Sequence, residues 1–348
     1  MTTAHPVGRR PAVSVVVSTY NRQAALARLL HGLEGACSHA VALEVVVTVD
    51  GCTDGTLEML QKLSSPISVR PIEQNRNRGP AAGRNRALAE ARGEIVLFLD
   101  DDVVPQPGLI DHHLAVHDID PAAVAIGPML SPIENELSAW LRWEAATLRK
   151  QYDAMLRGEY APTPRQFYTA NASVRRTHAL AVGGFDESFK RAEDVEFAYR
   201  LADRGLRFHF MPEAAVIHAP VRSWEGWLEV AYQYGRHAVI FERDRGRDQL
   251  RTAYSEWPAR HPLNRLLARA CVGNQRRATT LCAMAGAAVR CDAGAGWDRV
   301  QMWLCSAVYS VRFWQGVADE TGLGNRVWAG GSAAIDRASQ MRSRDPAA

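Results

Sequence analysis

Three consecutive carboxylates, Asp100-Asp101-Asp102, follow the apolar run EIVLFL and precede Val103-Val104-Pro105. Adjacent acids at the end of a buried segment repel one another, and either solvent or a bound divalent cation relieves the repulsion. Asp100 and Asp102, two residues apart, can share one hard metal ion through oxygen ligands; an acidic helix cap or solvated loop is the structural alternative. Asp50 ends the run VVVTVD in the segment VVVTVDGCTDGT. Gly51 and Gly55 flank a turn there, and Thr53 or Asp54 caps the next helix. Asp50 has no capping duty and can accept an N–H from a nucleobase. Tyr20-Asn21-Arg22 follows the first apolar run, and Arg78-Gly79-Pro80 with Gly83-Arg84-Asn85 opens a helical pattern. A helix N-terminus with arginines beside it can hold a diphosphate, and a salt-bridged surface turn is the other reading. Glu193-Asp194-Val195-Glu196-Phe197 opens another helix after the turn Gly183-Gly184-Phe185-Asp186-Glu187. Acids in a first helical turn are favoured by the helix dipole alone. His218 ends the run VIH, and a lone histidine there is either structural or a ligand.

These groups sit at the ends of short apolar runs, so the runs must bring them together. Residues 12–18 (AVSVVVS), 43–49, 67–72 and 94–99 (EIVLFL) read as strands. Residues 22–37, with Leu26, Leu29, Leu30 and Leu33 at helical spacing, and residues 54–63 and 80–91 read as helices. This βαβαβαβ rhythm predicts an α/β fold with a mostly parallel central sheet flanked by helices. Ligands of such sheets gather at the carboxyl ends of the strands, which is where the acids stand. Further on, residues 122–127, 166–174, 206–211 and 214–218 read as strands, and 134–156 and 192–204 as helices. From Trp224 the pattern is helical, broken by the charged stretch 242–248 and by Pro258 and Pro262. An α/β body at 11–220 and a C-terminal helical extension at 221–348 follow from this reading.

The 348 residues, 47% hydrophobic and 23% charged, allow a sizeable core. The net charge is +3, but residues 242–348 carry 16 arginines against 10 acids, while residues 1–241 are slightly acidic. Cys37, Cys52, Cys271, Cys282, Cys291 and Cys305 contain no C-x-x-C pair and no zinc spacing, so a reducing cytoplasm is expected. The start MTTAHPVGRRP has no apolar stretch after its charges, and no apolar run reaches 18 residues. Neither a secretory leader nor a transmembrane helix is therefore expected.

In order, VSVVVSTYNR, VDGCTDGT, NRGPAAGRNRAL, FLDDDVVP, GGFDESF and EDVEFAYRL resemble the blocks of family 2 glycosyltransferases of the GT-A fold. The resemblance implies a nucleotide-sugar-binding half at about 11–105 and an acceptor and base half at about 106–220. Asp50 corresponds to the aspartate that recognises the base. Thr19, Tyr20 and Asn21 fall in the nucleoside pocket, and Arg78, Gly79 and Arg84 beside the donor diphosphate. Asp100 and Asp102 match the D-x-D pair that holds Mg2+ or Mn2+, with Asp101 between them at the donor and His218 as an additional metal ligand. Glu193-Asp194 matches the E-D motif, with Asp194 as general base. Asn171 falls near the sugar pocket.

The implied reaction is inverting, single-displacement transfer from a nucleotide sugar to an acceptor hydroxyl. UDP is the commonest carrier in the family, with GDP and dTDP open. A glycan, a lipid-linked molecule or a small molecule would accept the sugar, in envelope polysaccharide, glycolipid or secondary-metabolite glycosylation. No nucleic-acid motif accompanies the arginines. One tension stands: a helix N-terminus should lower the pKa of Asp194 and weaken it as a base, while Glu193 and Glu196 push it up. A catalytically silent nucleotide-sugar-binding or scaffold protein on the same fold is the alternative, and the intact acidic set argues against it. A sugar-phosphate nucleotidylyltransferase would resemble G-x-G-x-R after the first strand, where Ser18-Thr19-Tyr20-Asn21-Arg22 stands instead.

Seven of the nine tryptophans follow His218, and WDRVQMWLCSAVYSVRFWQGV is apolar around most of a helix. Either this helix packs within the extension or against a partner subunit, or it lies in a membrane interface at the inner face of the membrane.

Overall fold

The computed structural model describes residues 11–36, 41–132, 137–189, 191–291, 294, 296–328 and 335–336. Cys37 and the first residues of the helix expected at 134–156 lie outside them. Valine-rich runs favour extended backbone because β-branched side chains are stiff and pack well on a pleated surface. In chain order the first body contains β1 (Val13–Thr19), α1 (Gln23–Glu34), β2 (Leu43–Asp50), α2 (Thr56–Gln61), β3 (Ser68–Gln74), α3 (Pro80–Glu90) and β4 (Ile95–Leu99). The chain continues through β5 (Val103–Pro105), α4 (Leu109–Ile119), β6 (Ala123–Ile126), β7 (Met129–Leu130), α5 (Ala139–Leu156), whose first two turns belong to the second unit, β8 (Asn171–Arg175), α6 (Arg176–Ala181), α7 (Glu193–Asp203), β9 (Arg207–Phe210) and β10 (Val216–His218).

Seven strands form one sheet in the order β3-β2-β1-β4-β8-β6-β9. β1 to β4 are parallel, β8 runs against both β4 and β6, and β6 and β9 are parallel. The period of two sends Val15, Val17, Val45 and Val47 to one face, under Leu26, Leu29 and Leu33 of α1. Val16, Val46, Val96 and Phe98 go to the other, against Ala87 and Leu88 of α3 and Phe197 and Leu201 of α7. Helix α3 lies so close to β1 that a Cβ on Gly83 would fall 2.0 Å from Ser18 Oγ. That contact fixes the height at which Arg84 leaves the helix.

The expected strand at 166–174 is shorter. Its polar start makes a single turn at Pro164–Gln166, and only Asn171–Arg175 pairs. The expected strand at 214–218 is not in the main sheet: β10 pairs with β5 and β7 in a separate three-stranded sheet. The division of the chain also differs from the expected one. Met1–Ile133 and Thr147–Pro220 form one unit, whereas Glu134–Ala146 groups with Val221–Ala348.

A polar cluster interrupts the first core. His113 Nδ1 and His117 Nε2 both meet Ser173 Oγ, at 2.9 and 2.8 Å, and His113 Nε2 lies 2.9 Å from Asn171 Oδ1. Desolvation holds both imidazoles down at about 4. The unfolded chain takes up these protons near the ordinary histidine value of about 6.5, and the folded one resists them until about 4. Stability is thus fully present above pH 6.5 and is lost as the pH falls through that window, by about 1 kcal/mol per pH unit for each ring. Thermal unfolding followed from pH 7 to 4 should show this loss, and His117→Gln should reduce its slope.

The second unit contains α8 (Trp224–Arg245), α9 (Gln249–Glu256), α10 (Pro262–Cys271), α11 (Gln275–Val289) and α12 (Trp297–Thr321). Gly235 and Gly316 let α8 and α12 meet backbone to backbone: a Cβ on either would lie 1.9 and 2.1 Å from the carbonyl oxygens of Phe313 and Tyr232. Trp314, Val311 and Val317 of α12 are buried with Trp257 and Leu250. Helix α12 is therefore a core element of this unit. Among the described residues no helix is long and apolar enough to cross a membrane.

Candidate active site

The carboxyl edge of the parallel strands gathers the polar residues. Thr19 ends β1, Asp50 ends β2 and the aspartate triplet follows β4. Asp50 is buried, and its Oδ1 and Oδ2 accept the backbone N–H groups of Arg78 and Gly79, both at 2.9 Å. This duty was invisible in the sequence: Asp50 anchors the loop that enters α3. The loop needs Gly79, which adopts a φ of 93°. The Arg78 guanidinium is exposed and pairs with Glu187 at 2.8 Å, the surface-turn alternative raised above.

The three aspartates point to different partners. Asp100 Oδ1 accepts from Arg84 at 2.7 Å and from Thr169 at 3.4 Å. Asp101 is buried and accepts from Thr19 Oγ1 at 2.7 Å and from Arg22 at 3.0 Å. Asp102 Oδ2 accepts from Arg22 at 2.8 Å, and its Oδ1 lies 3.4 Å from His218 Nε2. Burial pushes the Asp101 carboxyl up, against Thr19 and Arg22. Burial also opposes the charge on Asp102, but His218 and Arg22 outweigh it and hold that carboxyl below the usual range.

Helix α7 supplies the remaining acids. Arg84 is buried and bridges two of them, with one guanidinium nitrogen 2.7 Å from Glu193 and another 2.7 Å from Asp100. Three segments, α3, the β4 end and the α7 start, are joined by this one side chain. Asp194 lies beside it, a residue of intermediate exposure whose carboxyl is strongly desolvated. Burial, the neighbouring Glu193 charge and Asp100 push the Asp194 carboxyl up to about 7, against Arg84 and the Val195 N–H. Burial and the acidic neighbours thus outweigh the opposing Arg84 and Val195 N–H. Just before it, Ala192 has a φ of 57°, in the left-handed region that a residue with a Cβ rarely adopts. Such strain persists only where surroundings enforce it.

Several residues take places other than those the resemblance implies. Thr19 and Asp101 satisfy each other at the strand end and face inward. Glu193 pairs with Arg84. Asn21, with a φ of 51°, spends its Oδ1 on the backbone N–H of Thr53 at 2.7 Å. Asn171 is buried, bonded to His113 and to the carbonyls of Pro128 and Ala214. Tyr20, 48% exposed, stays open to a ligand. The expected ligand set Asp100, Asp102 and His218 is not assembled. Asp102 and His218 form a pair, Asp100 turns to Arg84, and among the described residues no three His, Cys, Asp or Glu side chains form a metal-holding group. Arg22 and Thr169 were missed; Arg22 stands in the STYNR block, where the basic residue beside an acidic triplet was the available signal.

Comparison with known proteins gives a consistent result. The sequence profile described as glycosyl transferase family 2 matches residues 14–182. The chain is 30% identical over 247 residues to a pre-mycofactocin glycosyltransferase of Mycobacterium tuberculosis, covering 68% of this chain and 50% of that protein. It is 28% identical to a validoxylamine A glucosyltransferase of Streptomyces hygroscopicus subsp. limoneus, covering 60% of this chain and 52% of that one. The chain thus spans about half the length of these relatives. Among solved structures, mannosyltransferase PcManGT from Pyrobaculum calidifontis, in complex with GDP-Man and Mn2+, covers 97% of this chain and 88% of its own at a TM-score of 0.51 and 17% identity. S. aureus TarS 1–349 in complex with UDP-GlcNAc covers 89% of this chain and 92% of its own at 0.51 and 18%. These likenesses are of fold: a GT-A-like α/β sheet with added C-terminal helices. With the ordered blocks, the matched profile and the sheet in agreement, the chain belongs to glycosyl transferase family 2.

Proposed function

We propose that this protein transfers a sugar from a nucleoside-diphosphate sugar to an acceptor hydroxyl, by a single displacement with inversion. The observation that carries this reading is the Arg84 bridge, which sets Asp194 next to the end of β4 where the aspartate triplet stands. A desolvated carboxyl raised to about 7 is matched to proton abstraction near neutral pH. In this reading Asp194 takes the acceptor proton as the hydroxyl attacks the anomeric carbon, and Tyr20 lies along the nucleoside. Arg84 keeps Glu193 and Asp100 in place.

A divalent cation fits one part of the edge. Asp102 and His218 offer one carboxylate and one imidazole, fewer than three protein ligands. Mg2+ and Mn2+ suit such a site because they commonly take one or two carboxylates and complete their shell with phosphates and water. When bound, the ion neutralises charge on the departing nucleoside diphosphate. The inverting course, the metal and the identity of sugar, base and acceptor belong to the proposal.

The test is a thermal-shift panel of UDP-, GDP- and dTDP-sugars with and without Mn2+ or Mg2+. One donor class should raise Tm, and more so with metal. A donor present at about 100 times its Kd stabilises by about 3 kcal/mol. Asp102→Ala should remove the metal-dependent part of that shift. An active variant indifferent to metal would remove Asp102 and His218 as its site.

A further inference from the structure

Residues 257–291 contain six arginines, Arg260, Arg265, Arg269, Arg276, Arg277 and Arg290, and no aspartate or glutamate. This stretch forms α10 and α11, and both helices pack on α12. Helix α10 buries Asn264, Ala268 and Cys271. Its outer side leaves Leu263 50% and Leu266 63% exposed, with Arg269 one turn further on. Helix α11 leaves Met284 66% exposed and carries Arg276 and Arg277, both exposed, in its first turn. That placement opposes the helix dipole, which favours anions there. Among the described residues, no carboxylate pairs with Arg260, Arg265, Arg269, Arg276 or Arg277.

We propose that the outer faces of α10 and α11 form a docking surface for an anionic lipid bilayer. The charge is complementary to acidic headgroups, and exposed leucine and methionine beside arginine match a helix that rests at the headgroup boundary. Nucleic acid would use the arginines but not Leu263, Leu266 and Met284, and no exposed aromatic side chain accompanies them for base stacking. A second copy of the chain would bring the same uncompensated positive charge onto itself. The surface expected on α12 is thereby moved to the two helices that cover it.

The full-length protein is mixed with sedimenting vesicles of phosphatidylcholine alone or of phosphatidylcholine with phosphatidylglycerol. Sedimentation with the anionic vesicles only, reversed by added salt, is the expected result. Each arginine near such a surface is worth about a fivefold change in partitioning, so Arg269→Gln with Arg276→Gln should weaken binding about 25-fold. Leu266→Ser should weaken it severalfold with the salt dependence kept. All three positions are exposed, so these variants should fold, and Arg86→Gln on α3 should bind like the unaltered protein. Equal binding to neutral vesicles, no binding to anionic ones, an unaffected double variant, or binding to duplex DNA that ignores Leu266→Ser would each overturn the proposal.

Discussion

Asp194→Asn should lower kcat for sugar transfer by about 10²–10⁴-fold and leave donor binding largely intact. The substitution keeps size and shape but removes the proton acceptor, while Asp102, His218 and Tyr20 are untouched. The same group fixes the pH dependence. In the unaltered protein kcat/KM should rise with pH up to about 7 and level off above it, because only the ionised carboxyl accepts a proton. Residual activity of the variant should lack that limb. The linkage to stability has the opposite sign. A carboxyl whose folded pKa is raised favours the fold while protonated, and this contribution is lost as the pH rises from about 4 towards 7. At neutral pH the asparagine variant should therefore melt about 2–4 °C higher. Donor binding weakened in proportion to turnover would take Asp194 out of the base role.

Arg84→Met has the second large effect. It leaves Glu193 and Asp100 as buried or half-buried carboxylates without their shared partner, a change that costs about 3–5 kcal/mol. It also removes the cation that opposes the rise at Asp194, so the acidic limb of the pH profile should move upward. Arg84→Lys keeps the charge but cannot reach both acids with a fixed fork, and should fall between the two. Adding Glu193→Gln to Arg84→Met should recover part of the lost stability, because one uncompensated charge is gone. Thermal unfolding and a pH–rate profile read these effects separately. A purely structural Arg84 would change the first and leave the second in place.

The parallel half of the sheet was legible because β-branched runs and helical leucine spacing repeat strongly between residues 12 and 99. The acids were legible because they sit at the ends of those runs. What sequence could not reveal was how the acids share partners. Nothing near Asp50 indicates that it holds the backbone of Arg78 and Gly79, since that contact is between side chain and main chain across 28 residues. The adjacency of Asp100 and Asp102 suggested a shared ion, but Arg84, from another segment, takes Asp100 first. The short strands β5 and β7 carry three and two residues, too few for a periodic signal. Asn171 was expected near the sugar pocket, and its actual partners, His113 and Ala214, could not be foreseen because they lie about 40 to 60 residues away in sequence. For the last helix, apolar residues on every side meant burial within a bundle.

The reversal of β8 has one more effect. Because β6 points toward the rim and β8 starts there, the chain between them leaves and returns at one side of the sheet. Both ends of that excursion are stapled by Asn171, through its carbonyl to Gly127 and its amide to Pro128. The excursion also carries β7, so a segment exchanged from a related transferase must keep Met129 and Leu130 in register with Val216 and Ile217 of β10.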